Sequence, residues 1–224
     1  MKKKLCMLLL ASGIGLFSCA EQDLPKEYTD SVNVFIGTGG HGHTFPGATL
    51  PHGMVQLSPD TRLLGWDACS GYYYDDTSIM GFTHTHLSGT GIGDYGDILF
   101  MPVVGEKPLI AGTAENPDEG YRSRFSHEQE SARPGYYQVL LQDDSINVEL
   151  TATLRAGLHR YTYPKASDAR LIVDMEPTIH GHQHPVTQIR VVNDSTIAGM
   201  KYTVGWAKHH YVYCLLYTSP SPRD

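Results

Sequence analysis

Short runs of β-forming residues, separated by turn residues about every 8–12 positions, recur through most of this 224-residue chain, a spacing typical of sandwiches and barrels. The clearest are Tyr136–Leu141 and Asn147–Thr153, in which apolar and polar residues alternate, as they do when one face of a strand is buried. Between them, Gln142–Ser145 has the composition of a turn. Beyond the N-terminal region no helical period is sustained over about ten residues. The pattern predicts an all-β chain that folds as an antiparallel β-sandwich.

The sequence predicts strands at the following positions: Met54–Leu57, Ile79–His84, Ile98–Val104, Tyr136–Leu141, Asn147–Ala152, Leu158–Tyr163, Arg170–Met175, Gln188–Asn193, Thr196–Tyr202 and Tyr211–Tyr213. The charged segment Glu115–Arg133 is predicted to hold a short helix or a loop at the sandwich edge.

The charge pattern excludes one class of partner. The formal net charge is -7, and the sequence has no basic cluster beyond the first few residues. Binding to nucleic-acid phosphates requires clustered Lys and Arg side chains that displace counterions. We therefore expect no nucleic-acid partner.

The N-terminus is predicted to direct export. Lys2–Lys4 form a positive region, and Leu5–Phe17 form an apolar run too short for a transmembrane helix. The run ends in LFSC, which resembles a bacterial lipobox, although an ordinary cleaved signal peptide is the alternative. We expect residues 1–18 to be a lipoprotein signal peptide, Cys19 to be the lipidation site and residues 19–28 to be a flexible tether. The lipid is expected to anchor the protein in the cell envelope, at the outer membrane, facing the periplasm or the surface.

The C-terminus is predicted to be foreign to the fold. Residues 214–224 read CLLYTSPSPRD, which resembles the translation of a sequencing adapter; a genuine Pro/Ser-rich tail is the alternative. On the first interpretation the natural sequence here ends at about Tyr213, the domain spans residues 29–213, and the chain is an N-terminal fragment. Cys69 is then the remaining cysteine of the mature domain, so no intrachain disulfide is expected.

The stretch Asn33–Asp97 is rich in glycine, histidine and aromatic residues, a composition suited to loops that approach a ligand. Its glycine clusters, Gly37–Gly40 and Gly89–Gly93, lack the sequence context of phosphate loops and are predicted to be tight turns. Paired histidines on a strand can hold a transition metal. The sets, however, lack a third acidic ligand at suitable spacing, so structural or substrate-contacting histidines are the default. They are His41 and His43; His84 and His86; His180, His182 and His184; and His209 and His210.

An aromatic and acidic cluster consists of Trp66, Asp67 and the run Tyr72–Asp76. Aromatic faces pack against the C–H faces of sugars, and carboxylates accept hydrogen bonds from hydroxyls, so the cluster could be a carbohydrate subsite. An aromatic core with exposed Asp residues in turns explains it equally well. The residues alone leave both interpretations open.

Several linked motifs in this stretch resemble the N-terminal signature of glycoside hydrolase family 92. They are Asn33–Thr38, Gly40–Ala48, Gly53–Asp60, Gly65–Tyr72 and Gly81–Gly91. The likeness runs from about Tyr28 to Tyr213. Val34, His52 and Tyr73 depart from the residues usual in the family, and none of these changes the assignment.

The resemblance implies a calcium-dependent, inverting exo-α-mannosidase of a family often found as lipoproteins or secreted proteins of Bacteroidetes, with mannose-containing glycans as partners. Family members have an N-terminal β-sandwich, or supersandwich, followed by a helical (α/α)6 catalytic domain, and that helical domain is absent from this chain. The catalytic glutamate, the catalytic aspartate and most calcium ligands belong to it. An inverting mechanism needs two carboxylates roughly 6.5–9.5 Å apart. We therefore assign no catalytic and no metal-binding residue here, and expect the fragment itself to be inactive.

The resemblance also suggests substrate-binding residues. Trp66 stands in the motif whose tryptophan lines the leaving-group subsite, and Asp67, His84 and His86 are further candidates for the rim of the cleft. Two rivals come from other classes of protein. One is a non-catalytic carbohydrate-binding lipoprotein with a β-sandwich fold, and the other is a metal-dependent enzyme of the cupin type.

Overall fold

The computed structural model describes residues 27–165 and 168–218. The expected signal peptide (1–18), the lipidation site Cys19, most of the expected tether and residues 219–224 of the expected tail lie outside the described residues. Among the residues that are described, no helix has the length and hydropathy needed to cross a membrane.

The described chain consists of strands, short 3-10 helices and loops. The strands are β1 (Ala48–Thr49), β2 (Gln56–Asp60), β3 (Ser78–Ile79), β4 (Gly81–Thr83), β5 (Leu99–Val104), β6 (Ser123–Arg124), β7 (Glu130–Arg133), β8 (Tyr136–Leu141), β9 (Ile146–Ala152), β10 (Gly157–Thr162), β11 (Ala169–Asp174), β12 (Gln183–Asn193), β13 (Thr196–Val204) and β14 (His210–Tyr217). The 3-10 helices are Tyr28–Ser31, Trp66–Ala68, Pro117–Glu119 and His127–Gln129.

The strands form antiparallel sheets, which confirms the predicted all-β sandwich. A five-stranded sheet has the order β1-β2-β4-β5-β11, and a four-stranded sheet has the order β10-β9-β8-β7. A three-stranded sheet, β12-β13-β14, forms a further layer, and β3 pairs with β6. Every strand pair among them is antiparallel.

The main core lies between the five-stranded and four-stranded sheets. In β8 and β9 every second residue is buried, as the sequence alternation predicts. These inward side chains pack with Leu57, Phe82 and Leu99 of the facing sheet. Each fully buried side chain of this size contributes about 1.5–3 kcal/mol to folding, so this interface is the principal source of stability.

A second, smaller core lies on the other side of the five-stranded sheet. Ile98, Phe100 and Met175 are buried there, and Val212 and Leu216 of β14 pack against them. Successive side chains of a strand point to opposite faces, so β5 sends Leu99 into the main core and Phe100 into the second one. The three-stranded sheet is thereby held against the sandwich.

The predicted strands agree with the structure most closely where alternation is strict. Tyr136–Leu141 is reproduced at both ends, whereas the strand predicted at Gln188–Asn193 begins earlier, at Gln183. The strand predicted at Tyr211–Tyr213 spans His210–Tyr217, so β14 continues past the expected end of the natural sequence. The origin of residues 214–224 stays a prediction.

Candidate functional site

Trp66 is presented to solvent by a tight backbone turn. Gly65, just before it, has a φ of 103°, in the left-handed region that favours glycine. The 3-10 helix Trp66–Ala68 follows, and Ala68 and Cys69 are buried beneath it. The Trp66 side chain, in contrast, is 55% exposed. The turn therefore has a fixed base and an outward-facing indole.

Two histidines and a carboxylate surround this indole. The ring centroid of Trp66 lies 5.0 Å from that of His41 and 4.4 Å from that of His43. His41 Nδ1 is 2.6 Å from Asp67 Oδ1, and His43 Nε2 is 3.9 Å from the same oxygen. We call His41, His43, Trp66 and Asp67 the Trp66 cluster.

The Trp66 cluster offers a stacking face beside hydrogen-bonding groups. In the described part of the chain, neither Trp66 Nε1 nor Asp67 Oδ2 has a hydrogen-bond partner. An apolar ring face next to an available carboxylate oxygen matches the alternating C–H and hydroxyl surfaces of a sugar ring. Tyr72, which the sequence grouped with Trp66, is instead fully buried and donates its hydroxyl to Glu130. The sequence cluster is thus divided between the core and an exposed site.

A glycine loop, residues 89–93, closes one side of the cluster. Gly91 has a φ of 65°, and a Cβ built there would lie 3.3 Å from Trp66 Nε1 and 3.4 Å from His43 Cε1. Glycine therefore lets the loop backbone approach the indole closely. The backbone N–H of Gly89 donates to the His43 carbonyl oxygen at 2.6 Å, which ties the loop to the cluster.

The buried side chain of Asp97, which follows this loop, is bound by residues of the three-stranded sheet. Asp97 accepts hydrogen bonds from Thr203 Oγ1 at 2.6 Å and from His210 Nε2 at 3.0 Å. Burial alone would raise the pKa of Asp97, but the hydrogen bonds from His210 and Thr203 outweigh it and lower that pKa below its ordinary value. The same hydrogen bond raises the pKa of His210. Lys201 Nζ donates to the Asp97 carbonyl oxygen at 2.9 Å.

His86 lies in the interior. Its Nδ1 is 2.7 Å from the Gln56 carbonyl oxygen, its Nε2 is 2.9 Å from Asp60 Oδ1, and the side chains of His86 and Asp60 are both 0% exposed. His180, which was not among the predicted site residues, approaches the base of the turn, with Nε2 3.2 Å from the Gly65 carbonyl oxygen.

His84 is half-buried and lies apart from the Trp66 cluster. Its Nε2 is 3.1 Å from His159 Nε2, and its ring packs edge-on against Phe100. Burial lowers the pKa of His84 to about 4 and that of His159 well below its ordinary value. The structure thus brings Trp66 and Asp67 together and places His84 and His86 elsewhere; the substrate role expected for these histidines stays a prediction.

Sequence reasoning missed His41 and His43 as members of the site, although it noted them as a pair. Their position in the glycine-rich stretch was a signal for ligand proximity, but their contact with Trp66 depends on a loop arrangement that the sequence does not encode locally.

The described residues do not form a metal site. Within residues 27–165 and 168–218, no group of three or more His, Cys, Asp or Glu side chains is placed to hold a metal ion. The resemblance assigns most calcium ligands to the helical domain of the family, so the calcium requirement of the complete protein stays a prediction.

The strands form an all-β domain that carries the exposed Trp66 cluster. Residues 31–224 match the family model described as the glycosyl hydrolase family 92 N-terminal domain. This match covers most of the chain, which therefore belongs to glycoside hydrolase family 92 and represents its N-terminal domain.

Solved structures support the family assignment. A family 92 α-mannosidase from Bacteroides thetaiotaomicron, in complex with mannoimidazole, is similar with a TM-score of 0.80 and 48% identity over 83% of this chain and 24% of that chain. The family 92 glycosyl hydrolase ccman5 has a TM-score of 0.71 and 30% identity over 84% of this chain and 26% of its own. An inverting mannosidase of the same family from B. thetaiotaomicron VPI-5482, at 24% identity and a TM-score of 0.57, shares the fold over 88% of this chain and 30% of its own.

One curated relative is an uncharacterized secreted glycosidase from Arthroderma benhamiae. It is 32% identical over 142 residues, which is 59% of this chain and 17% of the relative. The chain thus spans about a quarter of the first solved structures that it matches and less of this relative.

Proposed function

We propose that this chain is the N-terminal portion of an inverting exo-α-mannosidase that hydrolyses terminal α-mannose from glycans such as N-glycans or mannans. The observation that carries the proposal is the Trp66 cluster, in which a 55% exposed indole stands beside a carboxylate with an available oxygen, within a domain of family 92. The cluster forms one wall of the substrate cleft in this proposal. The acid and base belong to a following domain, and the 224-residue chain is inactive alone.

The Trp66 cluster binds the leaving-group sugar in this scheme. The sugar stacks its C–H face on Trp66, and Asp67 Oδ2 accepts a hydrogen bond from one of its hydroxyls. Such contacts fix the orientation of the scissile bond relative to the catalytic groups, which lowers the entropic part of the barrier. His84 contacts His159 and His86 contacts Asp60, outside the Trp66 cluster, and a substrate role for these two histidines stays a prediction.

Location and cofactor belong to the same proposal. The protein is held in the cell envelope through a lipid on Cys19, and the complete enzyme requires calcium. The lipobox-like sequence before Cys19 and the secreted nature of the Arthroderma relative support export.

The test compares the complete gene product with the 224-residue chain. Both are incubated with α-linked mannobiose, and released mannose is followed by NMR, which also gives the anomer formed first. We expect the complete product to release β-mannose and to lose activity with a chelator, and the chain alone to release none. Release of mannose by the chain alone contradicts the proposal. Mannobiose binding without turnover by the complete product would instead favour the carbohydrate-binding lipoprotein.

Trp66→Ala in the complete product should raise KM for mannobiose roughly tenfold, because a stacking contact worth about 1.4 kcal/mol is lost. Trp206→Ala is the matched control, since Trp206 is also exposed, at 60%, and lies outside the Trp66 cluster. Steady-state kinetics with both variants decide the matter. Equal KM values for the two variants would exclude the stacking role.

A further inference from the structure

His43 is an unusual residue within the Trp66 cluster. Its φ is 54°, a left-handed conformation that non-glycine residues rarely adopt. Its side chain is 6% exposed, and in the described chain its buried Nε2 has no hydrogen-bond partner. A buried nitrogen without a hydrogen bond destabilises a fold. Strain and a missing hydrogen bond at one residue point to a role beyond packing.

The ring of His43 supports Trp66 directly. The planes of the two rings meet at 76°, with the centroids 4.4 Å apart. This edge-to-face arrangement is the favourable geometry for aromatic pairs. Because His43 is buried, it forms a fixed base against which the exposed indole rests.

His41 fixes the other side of the cluster. Its side chain is 73% exposed, yet its Nδ1 lies 2.6 Å from Asp67 Oδ1 while its ring packs beside Trp66 at 5.0 Å. The unpaired His43 Nε2 is 3.9 Å from the same carboxylate oxygen. Two histidines therefore converge on Asp67 Oδ1, which leaves Oδ2 as the oxygen directed to a ligand.

We propose that His41 and His43 are positioning residues that hold Trp66 and Asp67 as one rigid unit, which selects a leaving group carrying a hydroxyl beside an apolar ring face. This inference rests on the proposed function, because it specifies which features of the leaving group the Trp66 cluster recognises. A sugar leaving group meets both requirements. An aryl leaving group offers the apolar face without the hydroxyl and cannot use Asp67.

The first experiment reads the position of the indole without reference to activity. The chain contains two tryptophans, so labelling with 5-fluorotryptophan gives two fluorine resonances, and Trp206→Phe assigns them. We expect His43→Asn and His41→Ala to shift or broaden the Trp66 resonance and to leave the Trp206 resonance unchanged. Asparagine tolerates the left-handed backbone at residue 43, and His41 is exposed, so the fold is preserved.

His52→Asn is the matched control for this experiment. His52 is also a left-handed histidine, with a φ of 60°, and it is exposed outside the cluster. If the Trp66 resonance is the same in His43→Asn, His41→Ala and His52→Asn, the positioning role is wrong.

The second experiment measures selectivity in the complete gene product. His41→Ala and His43→Asn should raise KM for α-linked mannobiose by roughly 3–10-fold, with a smaller change in kcat. KM for an aryl α-mannoside should rise less. Equal increases for the two substrates would overturn the selectivity, even if the fluorine resonance shifts.

The two experiments separate this inference from the proposed function. If the wild-type complete product releases no mannose, the proposed function fails. The fluorine spectra still decide whether His41 and His43 hold Trp66 in place.

Discussion

Replacing Glu130 by alanine should lower the free energy of unfolding by about 3–5 kcal/mol, because buried groups lose their shared acceptor. The Glu130 side chain is 1% exposed. It accepts hydrogen bonds from Tyr137 at 2.6 Å and Tyr72 at 3.1 Å, and its Oε2 lies 2.6 Å from His127 Nδ1. Both tyrosines are fully buried, and burial together with Glu130 raises the pKa of each. Their hydroxyls thus remain donors, and alanine leaves them unpaired.

Urea denaturation followed by circular dichroism measures this loss. Glu149→Ala is the control, since Glu149 also accepts a tyrosine hydroxyl, that of Tyr136 at 2.8 Å, but its side chain is 24% exposed. Water can replace it there, and we expect a loss below about 1 kcal/mol. Similar losses in the two variants would show that burial is not what makes the Glu130 network strong.

Lowering the pH from about 6.5 to about 4.5 should destabilise the fold through His84 and His159. The pKa of each is lowered in the folded state, to about 4 for His84. In the unfolded chain both histidines have a pKa of about 6.5. Below that pH they bind protons in the unfolded chain but remain neutral in the folded chain, so the stability present at higher pH is lost as the pH falls. Two such groups give a slope that approaches roughly 2.7 kcal/mol per pH unit in the middle of this window, where both are charged in the unfolded chain and neutral in the folded one.

The pH dependence of the free energy of unfolding tests this expectation. His159→Gln removes one titrating group, so the slope between pH 6.5 and 4.5 should fall by about half. The raised pKa of His210 acts in the opposite direction. The contribution of His210 to the free energy of unfolding is fully present below the pKa of histidine in the unfolded chain. It is lost as the pH rises through the pKa of His210 in the folded chain, so His210 does not cause a loss of stability at low pH. An unchanged slope in His159→Gln would contradict the assignment.

The fold was predictable where the sequence alternates. In β8 and β9 the period of two is strict over the whole strand, and the buried residues are the apolar ones. The two-residue strands β1, β3 and β6 are too short to show a period, so the sequence defined none of them as separate strands. The segment Glu115–Arg133 contains two 3-10 helices and the strands β6 and β7, all shorter than the window in which periodicity is visible.

The site was predictable in part. Trp66 and Asp67 are neighbours in the sequence, and one turn presents both. The predicted strand Ile79–His84 includes His84 but not His86, and β4 ends at Thr83, so the alternation of a strand places neither histidine. His86 contacts Asp60 and His84 contacts His159. His41 and His43 contact Trp66 because of the path of their loop. A loop has no repeating sequence pattern from which that path could be predicted.

Strand β5 has a consequence for how the domain loses its structure. Since Leu99 and Phe100 enter opposite cores, neither apolar layer can separate without uncovering one face of the same strand. The outer three-stranded sheet and the inner sandwich should accordingly melt together, as a single calorimetric transition whose measured enthalpy equals the van't Hoff value. A substitution that destabilises the core on one side of β5 then also destabilises the core on the other side, and the domain unfolds as one cooperative unit.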